Sequence, residues 1–418
     1  AAACFAFATQ PPATGALDPA NLIAFVTTNG HLAVVDPETL EATAFGTGLQ
    51  RAIFPAWSSD GNQIAAVVAT PGASHVDVID VAHGAGPTVV LAARDRSPIY
   101  LNWSPDDRYL AVLSGAQNGP LALDIVRVER ALAGDPDART TLSFGQPFYW
   151  VWSRTGRSLL VHRDVLRDGA LVGLSGIDEF QVAVPLPSPG AFQSPDISES
   201  EQYLAYAATD SNGSRVVVTT NTARGGDGRP IAELAHDGMV AFAWRPAHDQ
   251  LSVQGATTAG IFAGPIEILD VPSGESRVVT SDTVLASFWS PDGRWLATLG
   301  REDGDERVAQ VQGSQHVRSQ SALQHVQSRP PLVRLRFYDV DEQTFVEGGA
   351  LRLSAAFVSQ YLPFFDQYSR SHSLWAPDSS AIVLPTFDEE TGSTLVVFRV
   401  DGTSTDLVPG DMPAWNVR

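Results

Sequence analysis

The stretch that decides the fold is Trp289-Ser290-Pro291-Asp292-Gly293, followed almost at once by the apolar run Trp295-Leu296-Ala297-Thr298. Ser-Pro-Asp-Gly is typical of a tight reverse turn, because Pro fixes φ at its second position and the Asp side chain caps the turn. Gly at the end of the turn accepts a positive φ. The apolar residues on both sides therefore predict two antiparallel strands joined by this turn.

This pattern recurs along the chain. The other copies begin at Trp57, Trp103, Trp152, Ser194, Trp244 and Trp375. Successive copies that keep the tryptophan are spaced by 46, 49, 92, 45 and 86 residues, and the fourth copy, Ser194-Pro195-Asp196, divides the interval of 92. The residues that mark the repeat are Trp57, Asp60, Gly61, Trp103, Asp106, Trp152, Trp244, Trp289, Asp292, Gly293, Trp375, Asp378 and Trp415. A period in the forties is typical of a four-stranded propeller blade.

The two ends of the chain complement each other in this repeat. Residues 21–45 supply strands two to four of a blade that has no first strand, and residues 412–418 look like a first strand alone. We therefore expect an all-β propeller, closed by pairing of the N- and C-terminal strands, since this pairing leaves no exposed sheet edge. Seven internal copies and this composite predict eight four-stranded blades. Seven is the alternative if the fourth copy merges with a neighbour.

At these motifs the chain resembles the Trp-Ser-Pro-Asp-Gly propellers of the TolB type and of the dipeptidyl and prolyl peptidases. The resemblance covers residues 21–418, which we interpret as a single domain, and implies a binding or scaffold propeller. The peptidases add an α/β-hydrolase domain with a Gly-x-Ser-x-Gly elbow. The nearest string here, Gly173-Leu174-Ser175-Gly176, does not match that elbow. The resemblance therefore does not carry the peptidase activity to this chain.

The charge of the chain argues against nucleic-acid binding. There are 27 basic and 47 acidic residues, for a formal net charge of −20, and every basic residue is Arg. A surface of this sign repels phosphate backbones. We expect another protein or an envelope component as partner, and no nucleic acid.

The N-terminal residues 1–20 predict an apolar remnant followed by a Pro-rich tether. Three small residues precede Cys4, the only cysteine, as in a bacterial lipoprotein signal, although Ala1 stands where that signal prefers Leu. Cys4 is thus a candidate lipid anchor, and a trimmed export signal with an incidental thiol is the alternative. Together with the resemblance, these N-terminal residues predict a periplasmic, extracellular or cell-surface protein. Anchoring to a membrane through Cys4 is part of this prediction. No apolar run has the roughly 20 residues that a membrane helix needs.

No stretch of the sequence predicts an active site. The nine His are scattered, and the acidic cluster at 302–306 lacks the alternating spacing of a calcium loop. We expect no metal, no cofactor and no catalytic residues, and hence a protein that is not an enzyme.

Two departures from the repeat are candidate partner-binding sites. The first is an insertion at 301–331, between the second and third strands of the sixth blade, with His316, Arg318 and His325 as candidate residues. Long insertions on rigid scaffolds often carry binding, although a tolerated loop without function is the alternative.

The second departure is the aromatic stretch from Phe357 to His372. We expect it over the central channel or an end face, where it exposes an apolar patch beside charged residues. The candidate residues are Phe364, Phe365, Asp366, Tyr368, Arg370 and His372. Aromatic residues with Arg are typical of interface hot spots. The alternative is a linker whose aromatic side chains pack into the core.

Together these features predict a non-enzymatic protein-binding or scaffold propeller, acting outside the cytoplasm as a subunit of an envelope or membrane-associated assembly. The alternative is a ligand- or peptide-binding sensor, or a degenerate enzyme, that uses the central channel.

Overall fold

The protein is described by a computed structural model that covers residues 17–46, 50–92, 96–115, 119–145, 148–156, 158–163, 170–175, 181–186, 194–211, 213–255, 263–302 and 331–418. These residues contain 30 strands, and every pairing between them is antiparallel. The fold is all-β, as the alternation of short apolar runs with Gly, Asp and Pro turns predicts.

The first half of the chain forms separate four-stranded sheets. Their strands are β1 (Ile23–Val26), β2 (Leu32–Val35), β3 (Ala42–Phe45), β4 (Arg51–Trp57), β5 (Gln63–Thr70), β6 (Ala73–Asp80), β7 (Ala85–Ala92), β8 (Ser97–Trp103), β9 (Tyr109–Gly115), β10 (Leu121–Arg127), β11 (Arg139–Gly145), β12 (Phe148–Trp152), β13 (Ser158–Arg163), β14 (Ala170–Ser175), β15 (Gln181–Leu186), β16 (Asp196–Ile197), β17 (Tyr203–Asp210), β18 (Gly213–Thr220) and β19 (Pro230–His236). From β4 onward, each four consecutive strands make one sheet in chain order.

The second half contains the remaining strands and most of the helical turns. The strands are β20 (Val240–Trp244), β21 (Gln250–Gly255), β22 (Gly264–Asp270), β23 (Glu275–Trp289), β24 (Trp295–Arg301), β25 (Leu332–Asp339), β26 (Thr344–Arg352), β27 (Ala381–Asp388), β28 (Gly392–Arg399), β29 (Ser404–Pro409) and β30 (Asp411–Trp415). The helical elements are α1 (Val128–Leu132), a 3₁₀ turn (Thr222–Arg224), a π-helical turn (Phe357–Tyr361), a 3₁₀ turn (Leu362–Phe364) and α2 (Phe365–Tyr368).

Strand β23 links two four-stranded units into one sheet of seven strands, β20 to β26. Its first part pairs with β22 as an outer strand, and its last part pairs with β24 as an inner strand. The last sheet, β27–β29, gains a single-residue bridge between Trp375 and Ile382 in place of an inner strand. We interpret the described sheets as eight units, with β16–β19 forming a unit of their own.

The N- and C-terminal strands pair directly. In the first sheet the order is β3-β2-β1-β30, so that Ile23 lies opposite Trp415 and Ala24 opposite Ala414. The Asn416 side chain extends this junction, since its amide donates to the carbonyl oxygens of Pro19 and Gly61. The pairing covers the inner edge of β1, which would otherwise be exposed.

Four of the repeated tryptophans connect neighbouring units by one recurring hydrogen bond. The indole N–H of Trp57 donates to Ala414 O, and that of Trp103 donates to Ala56 O, both at 3.0 Å. Trp289 donates to Ala243 O, and Trp375 donates to Phe288 O. In each case the acceptor immediately precedes the tryptophan of the neighbouring unit. A buried hydrogen bond of this kind contributes about 1 kcal/mol net, besides the area that the indole buries.

The turn after each tryptophan has the geometry that the motif predicts. The N–H of Gly61 donates to Ser58 O, and the N–H of Gly293 donates to Ser290 O, both at 2.9 Å. Gly61 has a φ of 71°, and a Cβ there would lie 2.4 Å from Asn416 Oδ1. The contact with the Asn416 side chain therefore favours glycine at position 61, in addition to the positive φ.

The fourth copy of the motif is displaced from its predicted position. Ser194 and Pro195 precede the inner strand β16, and the turn is formed instead by residues 198–201, where the N–H of Glu201 donates to Ser198 O. Ile197 thus stands where the other copies have Trp. Ser-Pro-Asp here leads into the inner strand and does not follow it, so the turn lies a few residues later than the motif predicts.

Candidate functional site

The most irregular part of the described chain is the segment between β26 and Trp375. We name residues 354–372 the plug. Ser354 begins it as a helix cap, because its Oγ accepts from the N–H of Phe357 at 3.1 Å. Pro363 then occupies the first turn of the 3₁₀ element, where its missing N–H costs nothing. The sequence therefore folds this segment into consecutive helical turns within an all-β chain.

The plug packs against the inner strands of most units. The Tyr368 ring lies 4.8 Å from Phe54 on β4 and 4.7 Å from Tyr100 on β8, measured between ring centroids. Phe365 contacts Phe288 on β23 at 6.0 Å. All of these rings belong to one buried cluster that gathers residues of many sheets around the axis of the propeller. The plug thus occupies the central space that the inner strands surround.

Gln367 makes the densest polar contacts in the plug. Its side-chain Oε1 accepts from the N–H of Trp150, and its Nε2 donates to Trp150 O at 2.9 Å. Oε1 also accepts from the hydroxyl of Ser194, and Nε2 reaches the hydroxyl of Tyr100 at 3.3 Å. One buried amide therefore joins the inner edge of β12 to two neighbouring units.

A charged group of the plug holds the short inner strand of the fifth sheet. The Arg370 guanidinium donates to Pro195 O and lies 3.4 Å from the Asp196 carboxylate. The Asp366 carboxylate accepts from the N–H of Ser194 at 3.4 Å. Strand β16 has only two residues. The plug side chains therefore supply hydrogen-bond partners to backbone groups that would pair with a neighbouring strand if β16 were longer.

Burial changes the pKa values of ionisable groups in the plug and beside it, raising some and lowering others. Desolvation raises the pKa of Asp366 to about 6, against the opposing effect of the nearby Arg370 cation. Desolvation lowers the pKa of His372 to about 4. It also raises the pKa of the Tyr100 phenol to about 12, although Ser371 and Gln367 hydrogen-bond to it. Burial of these ionisable groups costs free energy, so the packing around the plug must stabilise it in this position.

The structure places the predicted partner-binding residues of this segment inside the protein. Phe365, Asp366, Tyr368 and His372 are buried, while Phe364 is half-buried. Only 14% of the Arg370 side chain is exposed. The aromatic side chains of the segment face the core and form no exposed patch, in contrast to the expected apolar surface, because they fill the space between inner strands. Their role in partner binding stays a prediction.

The other predicted site residues are not among those that the structure describes, and their roles stay predictions. His316, Arg318 and His325 in the insertion, and the candidate lipid anchor Cys4, lie outside the described residues. The insertion is flanked by β24 and β25, and Arg301 lies opposite Val333 in their pairing. Its two ends are therefore adjacent at the tip of a hairpin, as predicted from the repeat.

Sequence reasoning missed the residues that hold the plug. Gln367 and Tyr100 belong to no motif, and Ser194 was interpreted only as a turn residue of the fourth copy. The sequence contains one signal for such contacts, because Ser-Pro-Asp occurs without its Trp in the fourth copy. An inner strand that lacks this Trp needs other packing partners.

Within the described ranges, no group of three His, Cys, Asp or Glu side chains is placed to hold a metal ion. No described helix combines the length and the apolar character that crossing a membrane requires.

The sheets and their inner-strand core define a β-propeller. No family model matches the sequence, and no curated protein matches it, so the finer resemblance to one repeat family stays a prediction.

Solved structures support the fold class. The chain is similar to the dihydro-heme d1 dehydrogenase NirN in complex with DHE, with a TM-score of 0.60 and 16% identity over 98% of this chain and 78% of that one. It is similar to a eukaryotic initiation factor, with a TM-score of 0.54 and 11% identity over 95% and 98% of the two chains. TolB from Acinetobacter baumannii is also found, with a TM-score of 0.42 and 13% identity over 94% and 81%. The TM-scores of the first two comparisons indicate a shared fold, and sequence identities this low leave the function open.

Proposed function

We propose that this chain is a non-enzymatic binding or scaffold propeller, whose partner is another protein or an envelope component. The observation that carries the proposal is the plug. Ligand sites are typically concave spaces lined by apolar side chains, and here Phe365, Gln367 and Tyr368 fill the space between the inner strands and are buried. Binding is then left to the loops and strand edges on the two faces.

The same observation weighs against the second candidate, a sensor or degenerate enzyme with a ligand in the central channel. A ligand there would have to displace Gln367 from Trp150 and Tyr368 from Tyr100. That displacement would break the two hydrogen bonds between the Gln367 amide and the buried backbone of Trp150, at a cost of about 1–3 kcal/mol for each bond. We therefore prefer the scaffold.

The proposal is tested by isolating the protein from its source cells at native abundance, with a C-terminal affinity tag and mild detergent. We expect an assembly larger than the 44.5 kDa chain, with a second component in fixed stoichiometry. Cross-links to that component should map to loops and strand edges, and none should map to plug residues. A protein that emerges alone and monodisperse from the soluble fraction would contradict the proposal.

We further propose that the protein acts outside the cytoplasm. This rests on the apolar residues around Cys4 and the Pro-rich tether that follows. Fractionation of cells that express the wild type and a Cys4→Ser variant tests it. Wild type in the membrane fraction and variant in the soluble periplasmic or medium fraction would support a lipid anchor. Both proteins in the cytoplasmic fraction would contradict export.

A further inference from the structure

Counted from the unit of β1, the fifth unit of the propeller is β16–β19, and its inner strand is the shortest among the described four-stranded sheets. Strand β16 pairs with β17 at two positions only, Asp196 with Ala205 and Ile197 with Leu204. In the second unit, by comparison, β4 pairs with β5 along residues 51–57. Few hydrogen bonds therefore join the rest of the fifth unit to the strand that lies beside the plug.

The seams between the fifth unit and its two neighbours lack the indole hydrogen bond that joins four other pairs of units. Ile197 stands at the Trp position of the repeat, so the fifth unit has no indole there to donate to the fourth. On the other side, Trp244 of the sixth unit is buried, but its Nε1 has no hydrogen bond to a described group. The fifth unit is therefore joined to the propeller without either of these two bonds.

Two carboxylates join the fifth unit to its neighbours at the end where the chain turns from β16 into β17. Glu201 accepts from the N–H of Thr155 in the fourth unit at 3.2 Å, and Glu199 accepts from the N–H of Ala247 in the sixth. Both side chains belong to the turn between β16 and β17. They therefore leave the opposite end of β16, which follows Pro195, to other contacts.

The plug holds this opposite end through charged groups. The Arg370 guanidinium donates to Pro195 O and lies 3.4 Å from the Asp196 carboxylate. The same carboxylate accepts from the N–H of Trp244 at 3.2 Å, and so joins the plug to the fifth and sixth units. Two further plug side chains accept from the N–H and the hydroxyl of Ser194. Hydrogen bonds of ionised groups are roughly twice as strong as neutral ones, so this contact depends mainly on Arg370 and its carboxylate partner.

We infer that the plug is a latch for the fifth unit: this unit opens locally while the other seams stay closed, and Arg370 keeps it in place. Opening breaks the contacts of Arg370 with Pro195 and Asp196 and separates the apolar seam in which Ala205 packs with Phe242 of the sixth unit. Local opening typically involves one contiguous motif with few stabilising contacts, as here. The inference does not depend on the function proposed above.

Thiol labelling of buried cysteines measures this opening. Ala205 of β17 and Ala65 of β5 are equivalent positions, since each follows the residue opposite the end of its inner strand, and both are fully buried. Ala205→Cys and Ala65→Cys are made in a Cys4→Ser chain, which has no other cysteine. With an excess of a chromogenic aromatic disulfide under native conditions, the thiol at position 205 should react at least about tenfold faster than the thiol at position 65. Equal rates would overturn the inference.

Two arginine variants test the latch itself. Arg370→Met removes the guanidinium and keeps an apolar stem, so it should raise the labelling rate at position 205 by about tenfold and leave position 65 unchanged. Arg294→Met removes an arginine from another buried carboxylate, that of Asp339, and should leave the rate at position 205 unchanged. A similar rise at both positions, or no rise at position 205, would refute the role of Arg370.

Two further measurements decide the question if Arg370→Met does not fold. Arg370→Lys keeps the charge but loses the planar fork, and should still raise the rate at position 205 by about threefold. Hydrogen exchange of the unaltered chain needs no substitution. The amides of β17 and β18 should exchange at least about tenfold faster than those of β5 and β6, which have the same lengths. Exchange that is equally slow in both pairs of strands would contradict local opening.

Discussion

The side-chain amide of Gln367 pairs with both the N–H and the C=O of Trp150, as the peptide group of a neighbouring strand would. Trp150 lies on β12, an inner strand whose other edge faces the central space. Buried backbone groups need partners, and here one side chain supplies two of them without a strand. The plug therefore completes the inner edge of this sheet as well as filling the space beside it.

Replacing Gln367 with Leu should destabilise the protein strongly. The change removes the hydrogen bonds between the Gln367 amide and the backbone N–H and C=O of Trp150, and we expect a loss of about 2–4 kcal/mol in the free energy of unfolding. Urea denaturation followed by tryptophan fluorescence measures it. The control is Gln360→Leu, the same change at an exposed plug position, which should stay within about 0.5 kcal/mol of wild type. Equal effects of the two changes would show that the amide contacts are unimportant.

The contact between Gly61 and Asn416 predicts a difference between two glycine positions. Gly61→Ala should cost about 3 kcal/mol or more, because the new Cβ meets Asn416 and the backbone has a positive φ. Gly72→Ala has a similar φ, of 84°, but no atom within 4 Å of the new Cβ, so it should cost only about 1 kcal/mol. Thermal and urea unfolding of both variants measure the difference. If both variants lose the same stability, the terminal strand does not pack on this turn.

The indole hydrogen bonds between units predict the effect of Trp103→Phe. The change keeps an aromatic ring but leaves Ala56 O without its donor, so we expect a loss of about 1–3 kcal/mol. Trp295→Phe is the control, since Trp295 is half-buried and stacks under the Arg294 guanidinium. It should lose less than about 1 kcal/mol. Chemical denaturation compares them, and a larger loss for Trp295→Phe would contradict the role of the indole N–H.

Asp366 and His372 predict opposite responses of stability to pH. The pKa of Asp366 is raised from 3.8 to about 6 in the folded state, so its contribution to stability falls as pH rises through that window. The pKa of His372 is lowered from 6.5 to about 4, so its contribution rises with pH over much the same window and is lost on acidification. In the wild type the two contributions oppose each other.

Single variants should separate these two contributions. Between pH 4 and pH 6.5, His372→Gln should lower the slope of stability against pH relative to wild type, and Asp366→Asn should raise it. Each change amounts to at most about 3 kcal/mol across the window. Urea denaturation at half-unit pH steps measures the slopes, and comparison with wild type removes the contribution of other carboxylates. Parallel curves for all three proteins would refute the opposing pair.

The fold was largely predictable because its determinants are local and repeated. The turn at Ser290-Pro291-Asp292-Gly293 specifies its own geometry, and the incomplete repeats at both ends pointed to the pairing of β1 with β30. The plug was only half predictable. Its length and aromatic content favoured a position over the central channel or an end face. Amino-acid composition does not show, however, whether an aromatic side chain faces solvent or the core.

The pairing of Ile23 with Trp415 has a consequence for how the protein is made. Of the described strands, β1 is the first that the ribosome makes and β30 is the last. Until β30 has been made, the inner edge of β1 offers unpaired amides to any other extended chain, because its partner lies far away in the sequence. Association between molecules through the edge of β1 therefore competes with the pairing of β1 and β30.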